Sequence, residues 1–129
     1  MAAMVAMLVA VSGACALQVA SISPWEPDIV AFEEADKAAM PAPGGVVFVG
    51  SSSIKGWKVE QYFADFNPIN RGFGGSQMSD IVDFVSRIIT PYKPAAVVVY
   101  SGDNDLGTAK TPVDITSHFA QVVEGIRTE

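Results

Sequence analysis

The stretch Val46-Val-Phe-Val-Gly-Ser-Ser-Ser53 decides the fold, because an unbroken apolar run ends there in a glycine and three serines. A short apolar run without alternation is typical of a strand that is covered on both faces, as in a parallel sheet. Further along the chain, the sequence predicts a short second strand at Pro68–Asn70 and a third buried strand at Ala95–Tyr100. Three strands therefore form the predicted sheet.

Apolar residues at helical spacing lie before and between these strands. They predict four helices, which begin near Pro27, Ser53, Ser79 and Pro112. The second of these is expected to run to about Phe63, with Trp57 and Tyr62 facing inward. Repeated strand–helix units imply right-handed crossovers and a parallel sheet with helices on both faces, so the predicted fold class is α/β in three layers, α/β/α. A chain of 129 residues has room for one such domain.

Composition excludes several classes of function. The net charge is −6 and the eight Lys and Arg residues are scattered, whereas a nucleic-acid partner requires clustered cations. The chain has one cysteine and one histidine, which excludes an intrachain disulfide and the usual zinc sites. We therefore expect no metal, no cofactor and no nucleic-acid partner.

The first twenty residues resemble an export signal. Met1–Ala20 carries no charged side chain, and Ala14-Cys15-Ala16 fits a small-residue cleavage pattern. A mis-assigned start or a buried helix is the alternative, because the basic residues that usually open an export signal are missing. Lipid attachment at Cys15 is a further alternative, which Ser12 disfavours. A membrane span is disfavoured more strongly, because the run is rich in alanine and barely long enough. We expect a periplasmic or extracellular protein whose domain covers residues 21–129.

Small polar segments follow each predicted strand: Gly50–Ser53, Asn70–Ser76 and Gly102–Asp105. In open parallel sheets, ligands bind at the carboxyl ends of the strands. These loops are therefore expected to converge on one edge of the sheet, which is the predicted site.

The residue types in these loops suit acyl transfer. Ser52 lies at a strand-to-helix turn, where the hydroxyl is exposed and developing negative charge is favoured. Attack on an ester creates an oxyanion that needs donors aimed at it in advance. The backbone N–H of Ser52, the backbone N–H of Gly75 and the side-chain amide of Asn104 can supply them. Glycine- and serine-rich turns are also common as ordinary loops, and neither glycine segment has the spacing of a phosphate loop.

Three blocks carry a specific resemblance. The segment Val46–Trp57, the glycine-bearing Asn70–Ser76 and Gly102-Asp-Asn-Asp105 resemble, in order and spacing, the first three blocks of the SGNH (GDSL-type) hydrolases. The resemblance runs from about Trp25 to the C-terminus. It implies a flavodoxin-like fold and a serine esterase or lipase acting on a small-molecule, saccharide or lipid ester. It also implies that Ser52 is the nucleophile and that Ser52, Gly75 and Asn104 form the oxyanion hole.

The fourth element of that family, an Asp-x-x-His pair near the C-terminus, has no match in the chain. Asp114 and His118 are four residues apart instead of three, and they begin an amphipathic helix, so we interpret His118 as a helix-face residue. The family sheet has five strands against three here. The resemblance therefore implies the N-terminal part of an esterase, truncated after about three strands and inactive by itself. A non-catalytic flavodoxin-like module that binds a sugar or phosphate group is the alternative.

Overall fold

The computed structural model describes residues 22–128, and the predicted leader with Cys15 lies outside this range. The strands and helices of the described residues are, in chain order, α1 (Glu26–Ala38), β1 (Val46–Gly50), α2 (Ser52–Lys55), α3 (Val59–Tyr62), β2 (Pro68–Gly72), α4 (Met78–Ile88), β3 (Ala96–Tyr100), α5 (Asp103–Gly107) and α6 (Pro112–Thr128). Short 3₁₀ turns lie at Ala64–Phe66 and Thr90–Tyr92. No helix between residues 22 and 128 is both long and apolar enough to cross a membrane.

The sheet has three parallel strands in the order β2-β1-β3, which confirms the predicted parallel α/β sheet. Val47 of β1 lies opposite Ile69 of β2 and Val97 of β3. Because parallel neighbours cannot be joined by a tight turn, each connection between strands contains helix.

Strand β1 is covered on both faces because its side chains alternate between two apolar clusters. Val47 and Val49 are fully buried in the larger cluster, to which α1, α4 and α6 contribute. Phe48 points the other way and packs with Ile54 of α2 and Val59 of α3 in the smaller cluster. The sheet therefore lies between two helical layers of unequal size, as the three-layer prediction requires.

The single helix predicted from Ser53 to Phe63 is wrong. The segment forms two four-residue helices, α2 and α3, separated by three residues from Gly56. The side-chain amide of Asn70 accounts for the break, because it donates to the carbonyls of Ile54 and Trp57 that a continuing helix would use. Tyr62, which was predicted to face inward, is 65% exposed.

The prediction that the third strand is buried is also wrong for one of its faces. Val97 and Val99 of β3 pack against the larger cluster. Val98 and Tyr100 alternate with them and are 37% and 52% exposed. The helices α2 and α3 pack on β1 and β2, so among the described residues nothing covers the second face of this edge strand.

A buried ion pair joins α1 to the sheet. Arg71 of β2 is 8% exposed and donates to the Asp36 carboxylate at 2.6 Å and to the Tyr92 hydroxyl at 2.7 Å. The Tyr92 hydroxyl donates to Asp36 in turn. Burial and the Asp36 carboxylate together raise the pKa of Tyr92 to about 12. The rings of Phe32 and Tyr92 flank the guanidinium, with their centroids 5.0 and 4.7 Å from its carbon.

Replacing Asp36 by alanine should destabilise the chain by about 3–5 kcal/mol, because it leaves the Arg71 guanidinium buried without its counter-charge. Urea unfolding followed by far-UV circular dichroism measures the change. Glu34→Ala is the control: it removes the exposed pair with Lys37 and should leave the free energy of unfolding nearly unchanged. Equal losses for the two variants would contradict the assigned role of the buried pair.

Candidate active site

The three predicted site residues follow the carboxyl ends of the three strands. Ser52 is exposed and is the first residue of α2, directly after β1. Gly75 is exposed in the turn between β2 and α4. Asn104 is half-buried in α5, directly after β3. Because all three strands are parallel, these residues lie at the same edge of the sheet.

Hydrogen bonds link the three loops pairwise. The first loop joins the second through the Phe73 N–H, which donates to the carbonyl of Gly50 at 3.0 Å. The second joins the third through the Asn104 side-chain amide, which donates to the carbonyl of Ser76 at 2.9 Å. The Ser51 hydroxyl makes a longer contact of 3.5 Å with the Asp103 carboxylate, between the first and third loops. The three loops therefore form one connected surface.

The Gly50 turn determines which serine reaches solvent. A Cβ on Gly50 would lie 1.9 Å from the carbonyl oxygen of Tyr100, so no other residue fits between β1 and β3 at this point. The Ser51 N–H donates to that same carbonyl, and the Ser51 side chain is fully buried. Ser52 comes next and is exposed, as is Ser53. The geometry therefore excludes Ser51 as a solvent-accessible nucleophile and is compatible with Ser52.

Asn70 positions the short helix that carries Ser52. This role of Asn70 was not predicted from the sequence. Its amide nitrogen donates to the carbonyls of Ile54 at 2.7 Å and Trp57 at 2.9 Å. Its amide oxygen accepts the N–H of Gly72 at 2.9 Å. A helix of four residues cannot be stable by itself, so these contacts from β2 fix its orientation. The signal in the sequence is a polar side chain inside a predicted strand.

Asp105 was also missed, although it ends the third block. Its side chain is fully buried, and one carboxylate oxygen accepts the N–H of Met78 at the start of α4 at 3.0 Å. The other oxygen lies 3.7 Å from the Lys110 ammonium, which donates to the Ser79 hydroxyl at 2.9 Å. Asp105 thereby holds the end of the loop that contains Gly75.

The pair Asp114 and His118 lies on α6. The Asp114 carboxylate accepts both the N–H and the hydroxyl of Thr111, which holds the pKa of Asp114 below its ordinary value. This carboxylate therefore stabilises the start of α6. The Nδ1 atom of His118 is buried without a hydrogen-bond partner within the described part of the chain, so no carboxylate there accepts a hydrogen bond from Nδ1. In the same range, no cluster of three or more Asp, Glu, His or Cys side chains is arranged to hold a metal ion.

Comparisons with known proteins identify the fold. No protein-family model and no curated protein matches the chain. Solved structures do match it, and three of them show the extent of the likeness. A GDSL-like lipase of Bacteroides thetaiotaomicron is 21% identical, with a TM-score of 0.66 over 75% of this chain and 51% of its own. A protein of Bacteroides fragilis, provisionally assigned as an acylhydrolase, is 25% identical, with a TM-score of 0.62 over 70% and 48%. A protein of Streptococcus pneumoniae, provisionally described as a platelet activating factor, is 14% identical, with a TM-score of 0.66 over 78% and 47%.

The chain thus spans about half the length of the solved structures that it matches. At the level of the fold, the matches confirm the resemblance to SGNH (GDSL-type) hydrolases, which the three sequence blocks indicated. The roles of individual residues at the sheet edge remain predictions.

Replacing Gly50 by alanine should destabilise the chain by at least about 3 kcal/mol, because the added methyl group would overlap the Tyr100 carbonyl and separate β1 from β3. Gly107→Ala is the matched control, since a Cβ there meets nothing within 4 Å. It should change the free energy of unfolding by less than about 1 kcal/mol. Chemical unfolding of both variants tests this, and a Gly50→Ala chain as stable as the parent would contradict the backbone path of the turn.

Proposed function

We propose that the chain is the N-terminal part of a serine ester hydrolase that cleaves an acyl or acetyl ester through an acyl-enzyme on Ser52. One observation carries the proposal: an exposed serine at the end of the central strand shares a sheet edge with an exposed glycine and an asparagine side chain, on loops that hydrogen bonds connect. The likeness to a solved GDSL-like lipase and to a solved protein assigned as an acylhydrolase supports the hydrolase class.

In the proposed reaction the Ser52 Oγ attacks the carbonyl carbon of the ester, and its proton passes to a general base. The carbonyl oxygen becomes an oxyanion, which accepts hydrogen bonds from the backbone N–H groups of Ser52 and Gly75 and from the Asn104 amide. The Asn104 nitrogen carries two N–H bonds, and only one is used by the Ser76 carbonyl. Collapse of the intermediate expels the alcohol, which takes the proton from the base. Water then releases the acid from Ser52 by the same steps.

The site residues Ser52, Gly75 and Asn104 include no general base. The single histidine of the sequence, His118, lies on α6, and no carboxylate of the described range accepts a hydrogen bond from its Nδ1 atom. We therefore propose that the base and its Asp partner belong to the remainder of the domain. The uncovered face of β3 supports this, because Val98 and Tyr100 offer an apolar surface for further structure.

The substrate proposed is a small-molecule, saccharide or lipid ester, with acetylated saccharides and short-chain lipids as the two candidate classes. Ser52 and Gly75 are both exposed, so an ester group on a larger molecule can reach them. We also infer export to the periplasm or exterior from the uncharged residues 1–20, with lipid attachment at Cys15 as the alternative anchor.

A second candidate function is a non-catalytic module that binds a sugar or phosphate group at the same loops. The missing base favours it, and one N–H of Asn104 is already used within the protein. The codons after Glu129 distinguish the two functions. An Asp-x-x-His pair about 60–100 residues downstream would support the hydrolase, a distance set by ordinary domain size. Stop codons in that interval, with intact expression, would support the binding module.

The 129-residue chain should hydrolyse p-nitrophenyl acetate no faster than its Ser52→Ala variant, because a serine without a base keeps its proton at neutral pH. Release of p-nitrophenolate, followed at 405 nm against a buffer blank, measures both rates. A clear rate that Ser52→Ala abolishes would instead require a base within these residues. His118→Ala would then identify or exclude the single histidine.

In the longer protein that contains the downstream half, Asn104→Ala should lower kcat by roughly 10²–10³ with little change in KM, because its amide is used in the transition state. Steady-state kinetics on p-nitrophenyl acetate provide both constants. Gln61→Ala, at an exposed position of α3, is the control. A change confined to KM would reassign Asn104 to substrate binding.

A further inference from the structure

The tryptophan that precedes α1 contacts the glycine turn at the candidate site. A Cβ built on Gly75 would lie 3.1 Å from the outermost ring carbon of Trp25. The indole also packs edge-to-face on Phe73, with the ring centroids 6.1 Å apart. Phe73 is fully buried and contacts Phe84 of α4 in the same way at 6.0 Å. Trp25 therefore connects the turn after β2 to the larger apolar cluster.

The turn at Gly75 needs such support. Gly75 has a φ of +80°, which lies in the left-handed region. Glycine adopts this conformation freely but also adopts others, so contacts from the rest of the protein must select it. On one side, the Asn104 amide holds the carbonyl of Ser76. On the other side, the Trp25 indole occupies the space into which a side chain at position 75 would project. The glycine is therefore held between the third loop and Trp25.

Two ion-pair contacts fix the first turn of α1, and with it Trp25. Arg87 of α4 donates to both carboxylate oxygens of Glu26, at 2.8 and 2.9 Å. It also donates to both carboxylate oxygens of Glu33, about two turns further along α1. Asp28 accepts from the Lys55 ammonium of α2 at 2.7 Å. The start of α1 is thus joined to α4 and also to the helix that begins at Ser52.

We propose that Trp25 is a positioning residue that fixes the direction of the Gly75 N–H at the active site. The role of this N–H in stabilising an oxyanion rests on the function proposed above. The role of Trp25 in holding the turn does not depend on that function. It follows that the segment before the first strand is part of the active-site structure. A plain packing role for Trp25 would lower global stability and leave the mobility of Gly75 unchanged.

The test is ¹⁵N relaxation of the labelled 129-residue chain in three variants. Trp25→Leu keeps an apolar side chain without the flat ring, and Trp25→Phe keeps an aromatic ring. Trp57→Phe changes the other tryptophan, which packs edge-to-face on Phe48. We expect the backbone order parameter of Gly75 to fall from about 0.85 to 0.6 or below in Trp25→Leu. It should be largely restored in Trp25→Phe and unchanged in Trp57→Phe. An unchanged order parameter at Gly75 in both Trp25 variants would overturn the proposal.

Turnover in the longer protein separates this proposal from the proposed function. A misdirected donor should lower kcat by about 10–10² in Trp25→Leu, with KM nearly unchanged. If Gly75 becomes mobile while kcat is unchanged, Trp25 does hold the turn, and the role of Gly75 as oxyanion donor is contradicted instead. The relaxation measurement requires no catalytic activity, so its result stands in either case.

Discussion

The close approach of β1 and β3 at Gly50 is the constraint on which the rest of the structure depends. The Tyr100 carbonyl oxygen lies 1.9 Å from the position of a Cβ on residue 50, and it accepts the N–H of Ser51, the residue that follows β1. Strand, turn and helix therefore follow within three residues, which buries Ser51 and exposes Ser52. The carbonyl of Gly50 accepts the Phe73 N–H, so the position of the second loop also depends on Gly50.

Much of the architecture is predictable from apolar patterning. The runs at Val46–Val49 and Ala96–Tyr100 become parallel neighbours because burial favours such runs in a sheet. The break between α2 and α3 was not predictable, since it depends on Asn70, which approaches from a different strand. The exposure of Tyr100 was not predictable either. The local sequence pattern shows that a strand is apolar, but it does not show whether another layer of structure covers that strand.

The candidate residues could be located from the sequence, whereas the groups that hold them could not. Ser52 and Asn104 lie in recognisable blocks at strand ends. Trp25 and Asp105 act through tertiary contacts, with Gly75 and with the start of α4, that no local spacing reveals. The candidate site residues are therefore easier to predict from the sequence than the residues that hold them in place. Chemistry restricts the residue type at a candidate site position, whereas only packing restricts the residues that surround it.

The uncovered edge strand β3 also affects how the isolated chain behaves in solution. Its outer edge carries backbone N–H and C=O groups that pair with no strand of the described residues, beside the exposed Val98 and Tyr100. Such an edge is a template for another strand, including the same strand of a second molecule. We therefore expect the state of this chain in solution to depend on protein concentration, because pairing of β3 with a second molecule would be favoured as the concentration rises.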